Sequence, residues 1–176
     1  AGQIEIDLQP LDIDRLAQRL MTQFAAHARQ PTLTFTYNMQ GLPNTGAVRG
    51  DEHRVEQILA HLLSNALLYT QQGRVELKLI HTPEGFIRIE VVDSGPGLSE
   101  EELALAFTPH SRILRTSSGH SGAGLGLSLS RSLSELMGGR TGAESTLDVG
   151  SKFWLDLPYD ARAKPPPRPV EPEEPD

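Results

Sequence analysis

The sequence predicts an α+β fold, a two-layer sandwich in which one mixed, mostly antiparallel sheet is covered by helices on one face. Three observations carry this reading. RVELKLI and FIRIEVV, at 74–80 and 86–92, alternate apolar with polar residues and are joined by TPEG, a connection suited to an antiparallel hairpin. Residues 51–69 carry Val55, Ile58, Leu59, Leu62, Leu63, Ala66 and Leu67 at helical spacing, a stripe broad enough to lie on a sheet. Helical and strand patterns interleave along 176 residues, enough for one domain with a hydrophobic core and too few for two ordinary ones.

Taken in order, Ile4 and Ile6 mark a short strand, and LDIDRLAQRLMTQFAAHA repeats apolar residues at helical spacing through Leu11, Leu16, Leu20 and Phe24. TLTFTYN alternates as a strand does. Asp51 offers a side-chain oxygen to cap the long helix that ends at Tyr69. Beyond the hairpin, EEELALAF reads as a short acidic helix, and TPHSRILRTSSGHSG, without periodicity and rich in turn-formers, as a mobile loop. A second amphipathic helix runs to about Met137 on Leu129, Leu133 and Leu136, with Gly138-Gly139 as its left-handed stop. Two strands near 140–145 and 151–157 close the sheet. From Ala161 onward ARAKPPPRPVEPEEPD has proline too dense for helix or sheet and almost nothing apolar to bury. The expected organisation is a domain at 1–159 and a disordered, acidic, proline-rich linker at 160–176.

Composition excludes several classes. Apolar content of 38% and charged content of 22% are those of a soluble protein, and no run approaches the roughly 20 apolar residues of a membrane span. The chain has no cysteine, hence neither disulfide framework nor thiolate metal site, and shows no charged-then-apolar leader, which fits a cytoplasmic location without direct membrane contact. A net charge of −7 and the lack of a basic run disfavour a nucleic-acid surface. A bound anion must be held locally.

Three stretches carry candidate chemistry. On the long helix Arg54, His61, Asn65, Leu68 and Tyr69 fall on one flank of the apolar stripe, at an edge that can either hydrogen-bond a neighbouring loop or face a ligand. In IRIEVVDSGPGLS, Asp93 points the same way as Ile87, Ile89 and Val91, so an apolar face ends in a carboxylate that needs a donor nearby. Gly95 and Gly97 follow it and let the chain turn sharply and approach a flat ligand, although a plain strand-ending turn has the same look. In SGAGLGLSLS, Gly122, Gly124 and Gly126 lead into a helix whose free N–H groups suit an anion such as phosphate. The spacing is not that of a Rossmann loop, and the lysine of a Walker loop is missing.

Read together, these motifs resemble the N, G1 and G2 boxes of the GHKL superfamily, the Bergerat-fold ATPases that include sensor histidine kinases, DNA gyrase and mismatch-repair MutL. The kinases are the nearest match. RGDEHRVEQILAHLLSNALLYT resembles their N box, VVDSGPGLS the G1 box, FTPHSR the F box, and SGAGLGLSLSRSLSELMGGRTGAES with GSKF the G2 box and its closing strands. The resemblance implies that Asn65 coordinates Mg²⁺ through its side-chain oxygen, that Asp93 accepts a hydrogen bond from the adenine amino group, and that Tyr69 stacks on adenine. It places Gly95 and Gly97 at the base, and Gly122, Gly124, Leu125 and Gly126 around the triphosphate. Arg112 aligns with the basic residue that ends the F box, and with Arg115 it can neutralise the γ-phosphate.

The chain departs from the kinase pattern at three positions. His61 stands where kinases usually carry asparagine and hydrolysing relatives a glutamate base, so a weak-base role and a simple hydrogen-bonding role are both open. Leu68 replaces a common lysine or arginine, and His110 an F-box aromatic. The phospho-accepting histidine of a dimerising helical hairpin has no counterpart here, since His27 in AAHARQ lacks its context. The resemblance thus implies the ATP- and Mg²⁺-binding catalytic domain of a two-component sensor kinase of the hybrid kind, whose parent is anchored in a membrane. Its partners are the hairpin of the same kinase and a response-regulator receiver domain to which the proline-rich tail can lead. The isolated chain is expected to be monomeric and unable to autophosphorylate. Two alternatives are a GHKL ATPase, against which the missing glutamate at 61 counts, and a degenerate module that regulates a partner kinase by docking.

Overall fold

A computed structural model describes residues 4–109 and 127–170. In chain order the elements are β1 (Gln9–Leu11), α1 (Ile13–Phe24, continued by a 3₁₀ turn at Ala25–Ala28), β2 (Leu33–Gln40), β3 (Ala47–Gly50), α2 (Glu52–Tyr69), β4 (Gly73–His81), β5 (Phe86–Asp93), α3 (Glu100–Leu105), α4 (Ser128–Leu136), β6 (Arg140–Thr146) and β7 (Gly150–Asp160). The strands form one sheet in the order β1-β3-β7-β5-β4-β2, with β6 also paired to β7. Only β2 and β4 run parallel among the described pairs, so the sheet is mixed and mostly antiparallel, as expected.

The long helix anchors the core. Asp51 accepts from the Arg54 N–H and so caps α2, whose Val55, Ile58, Leu59, Leu62, Leu63 and Ala66 are all buried. They pack on the inward residues of the central strands: Val75, Leu77 and Leu79 of β4, Ile87, Ile89 and Val91 of β5, Leu155 and Leu157 of β7. Helix α1, capped by Asp12, adds Ile13, Leu16, Ala17 and Leu20 to the same layer. Alternation along β5 and β7 sends the other side chains to the open face of the sheet. There the Asp156 carboxylate, fully buried, accepts from Arg88 Nε at 2.9 Å and Nη2 at 3.1 Å and from Arg140 Nε at 2.8 Å. The Arg88 guanidinium also lies 4.5 Å from the centre of the Trp154 ring.

Several elements differ from expectation. Ile4 and Ile6 lie in no strand; Ile4 is exposed, and the first pairing is instead Gln9–Leu11 against Gly50–Val48 of β3. Leu11 therefore belongs to β1, and the helix starts after Asp12. On α4 the inward face is Ser130, Leu133 and Ser134, with Met137 beyond, while Leu129 and Leu136 are exposed. Positions i, i+3, i+4 and i+7 do face inward, but the small serines allow closer packing than leucine would. Strand β7 runs on to Asp160, where its end pairs with β3.

The described part of the tail folds back on the domain. Arg168 donates to both Asp12 oxygens, at 2.6 and 3.1 Å, and to Asp14 Oδ2 at 3.0 Å. No helix among the described residues is long and apolar enough to cross a membrane.

Candidate functional site

The site lies at one end of the sheet, where α2 and β5 both finish. Asp93 is the last residue of β5 and pairs in register with Val75 on one side and Ser151 on the other, so its backbone is held by two neighbouring strands. The strand alternation brings its carboxylate to the helix-covered face, and Asp93 is buried along with Ile87, Ile89 and Val91. The donor it needs is in part local: the Gly95 N–H reaches Asp93 Oδ1 at 2.9 Å.

Across from this carboxylate runs the last turn of α2. Asn65 and Tyr69, four residues apart, present side by side on one helix edge. Together with Asp93 and Gly97 they line a small cavity of about 20 Å³, completed by Ala66, Pro96, Leu98, Ser151 and Phe153. The structure thus brings together four of the residues singled out in the sequence. Gly95 is adjacent, and the space its Cβ would fill lies 2.9 Å from Thr70 Oγ1 and 3.0 Å from Asp93 Oδ1. Gly97 has φ +68°, and a Cβ there would collide with the Thr146 carbonyl, so both conformation and proximity require glycine.

His61 is one turn earlier on α2, half-buried, and is not among the residues lining this cavity. Arg112, Arg115, Gly122, Gly124, Leu125 and Gly126, and with them His110, lie outside the described residues. A larger cavity of about 370 Å³ occurs at the far end of the sheet, between Asp12, Asp14, Ile87, Tyr159 and Arg168, and holds none of the expected site residues.

Sequence reasoning missed the serine, phenylalanine and leucine of the lining, as well as Thr70. Ser151 and Phe153 are inward residues of β7, but only the register with β5 shows that Ser151 sits beside Asp93. Thr70 caps the C-terminus of α2, donating its N–H to the Ala66 carbonyl at 3.0 Å, and its buried hydroxyl oxygen has no hydrogen-bond partner among the described residues. An unpartnered buried hydroxyl next to a buried carboxylate, both bordering the glycine loop, suits the polar edge of a flat heterocycle and an accompanying water. An aromatic ring and a neutral carboxamide at the mouth add a stacking surface and a hard oxygen donor. The residue types gathered here, a carboxylate, an unpartnered hydroxyl, an aromatic ring and a carboxamide, are of the kinds a nucleotide site uses.

The chain is similar to proteins already known. A family model described as histidine kinase-, DNA gyrase B- and HSP90-like ATPase matches residues 50–161. Sensor protein GacS of Pseudomonas syringae pv. syringae is 36% identical over 165 residues, which are 89% of this chain and 18% of that protein. Sensor protein TorS of Escherichia coli (strain K12) is 40% identical over 124 residues, 70% of this chain and 13% of TorS. Among solved structures, full-length ShkA in complex with AMPPNP superposes with a TM-score of 0.77 at 30% identity, covering 94% of this chain and 34% of ShkA. The nucleotide-free catalytic domain of histidine kinase ThkA gives a TM-score of 0.70 at 25% identity, covering 88% of this chain and 96% of that domain. The chain spans less than a fifth of the length of GacS or TorS, at 18% and 13%, yet corresponds to nearly all of the ThkA domain. Every residue that lines the small cavity falls within the matched 50–161 segment, and the chain belongs to the histidine kinase-, DNA gyrase B- and HSP90-like ATPase family.

Proposed function

We propose that this chain is the ATP-binding catalytic domain of a two-component sensor histidine kinase, which binds Mg²⁺·ATP and passes the γ-phosphate to a histidine on a dimerisation hairpin elsewhere in its parent. The observation that carries the reading is the convergence of Asn65, Tyr69, Asp93 and Gly97 on one cavity at the end of β5. The relatives named above support it: GacS and TorS are sensor proteins, ThkA is a histidine kinase, and the ShkA structure contains AMPPNP.

In this reading Asp93 accepts a hydrogen bond from the amino group of adenine, and Tyr69 stacks on its ring. Gly95 and Gly97 keep the neighbouring loop free of side chains where the base enters. Asn65 offers its side-chain oxygen to Mg²⁺, which when bound neutralises charge on the phosphate oxygens. The glycines Gly122, Gly124 and Gly126 with Leu125 surround the triphosphate, and Arg112 and Arg115 supply positive charge at the γ-phosphate. His61, a turn from Asn65, acts as a hydrogen-bonding residue near the reacting end. The transfer breaks the bond between the γ-phosphorus and its bridging oxygen, forms one to an imidazole nitrogen of the acceptor, and leaves ADP. Catalysis of this kind rests on positioning and charge stabilisation, for which side chains fixed on a helix end and a strand end are suited.

Residues 1–159 form the catalytic domain and 160–176 a linker toward a receiver domain. The domain works on the cytoplasmic side of a membrane-anchored parent. The test is to titrate Mg²⁺·ATP against the chain by calorimetry, then add the histidine hairpin of the parent in trans and follow labelled phosphate. Binding followed by acid-labile, base-stable label on the hairpin supports the proposal. Absence of nucleotide binding refutes it, and steady hydrolysis with no labelled hairpin assigns the chain to the hydrolysing branch of its family.

A further inference from the structure

The loop that follows Asp93 is fastened to the β6–β7 hairpin at three points. The Leu98 N–H donates to Ser145 Oγ at 2.6 Å, the Asp148 N–H donates to the Pro96 carbonyl at 2.7 Å, and Gly97 packs against the Thr146 carbonyl so closely that a Cβ has no room. The first of these depends on a side chain. Ser145 pairs in register with Ser151 of β7, and their hydroxyl oxygens are 2.7 Å apart. Ser151 pairs in turn with Asp93 and lines the cavity, as does Leu98. Ser145 Oγ also reaches the Gly150 carbonyl at 3.2 Å.

A hydroxyl has one proton and two acceptor positions. At Ser145 one acceptor position holds Leu98, and the remaining capacity is shared by Ser151 and Gly150. A single oxygen therefore ties the wall of the cavity, at Leu98, to its floor, at Ser151. Removing it leaves the Leu98 N–H, on a buried residue, without its acceptor. The loop then keeps only its two backbone fastenings, at Pro96 and Gly97, and is held less firmly at Leu98.

We infer that Ser145 is a positioning residue of the nucleotide cavity: it touches no ligand, but latches the Asp93 loop in the shape that receives the base. This rests on the nucleotide-binding reading above. An ordinary hairpin hydrogen bond lowers thermal stability when lost and leaves affinity alone. A latch acts on affinity, because closing the loop is then done at the expense of binding.

The experiment compares the whole chain with Ser145→Ala and Ser145→Thr. Calorimetry with Mg²⁺·ADP should show an increase of about tenfold in the dissociation constant for the alanine variant, the size expected for one orphaned buried N–H. The threonine variant, which keeps the hydroxyl, should bind within about twofold of wild type. Transfer to the hairpin in trans at saturating ATP should change little, so that KM rises and kcat holds. Hydrogen exchange in the nucleotide-free protein should show faster exchange at Leu98 in the alanine variant and normal exchange with threonine. Wild-type binding with unchanged affinity in Ser145→Ala overturns this inference alone, as does equal loss in both variants. Failure of wild type to bind nucleotide overturns the proposed function, and unchanged Leu98 exchange in that case overturns the latch as well.

Discussion

Replacing Asp156 by asparagine tests how the open face of the sheet is held. The carboxylate is 0% exposed and accepts three hydrogen bonds from Arg88 and Arg140, on strands β5 and β6 that flank β7. Asparagine keeps the volume but removes the charge and turns an NH₂ group toward a guanidinium. Removing one partner of a fully buried ion pair costs about 3–5 kcal/mol. Here the arginine side chains are 26% and 48% exposed, so once released they can recover hydration, and the loss falls to about 2–3 kcal/mol. For a domain of this size that corresponds to a fall in Tm of about 4–12 °C. Urea and thermal unfolding followed by circular dichroism measure it directly. A loss below about 0.5 kcal/mol would show that the three contacts merely offset the cost of burying the charge, and the reasoning would be wrong.

Three further outcomes are expected. Asn65→Ala should abolish Mg²⁺-dependent transfer while leaving the Tm near wild type, checked by labelled phosphate on the hairpin; persistent transfer removes Asn65 from the metal assignment. Asp93→Asn should weaken nucleotide binding by about 10- to 100-fold, read by calorimetry, since a charge-assisted hydrogen bond to the base is replaced by a mismatched amide. Burial works to raise the Asp14 carboxyl, yet hydrogen bonds from Tyr37, Gln18 and Arg168 outweigh it and hold the group below its ordinary value of 3.8. A depressed folded value means stability that is fully present above pH 3.8 and is lost as pH falls through the folded value, so Tm should drop in that acid window, and Asp14→Asn should flatten the drop.

Much of the architecture was legible because it is written locally. The stripe on α2 and the alternation of β4 and β5 follow from helical and strand periodicity, and the same alternation placed Asp93 on the buried face before any contact was known. The strands β1 and β3 were not legible. They are three and four residues long, and what makes them strands is distant pairing, Gln9 with Gly50 across the whole of α1 and β2, and Ala47 with Asp160. The inward face of α4 was misread because leucines stand out on a helical wheel whereas Ser130 and Ser134, which are buried, do not. Within the site, Asn65, Tyr69 and Asp93 could be singled out by position in their own elements. Ser145, Ser151 and Thr70 could not, since their importance lies in register between β5, β7 and β6 and in where a helix ends.

The clasp between Arg168 and Asp12 joins residues 156 positions apart and brings the passage into α1 beside the passage out of β7. That corner and the nucleotide cavity sit at opposite ends of β7, near Tyr159 and Ser151 respectively. Eight residues of strand separate them, about 26 Å at roughly 3.3 Å per residue. β7 is thus one continuous arm between the two. A turn of about 10° at the clasped corner carries the cavity through about 4–5 Å of arc on that arm, comparable to the reach of a single side chain.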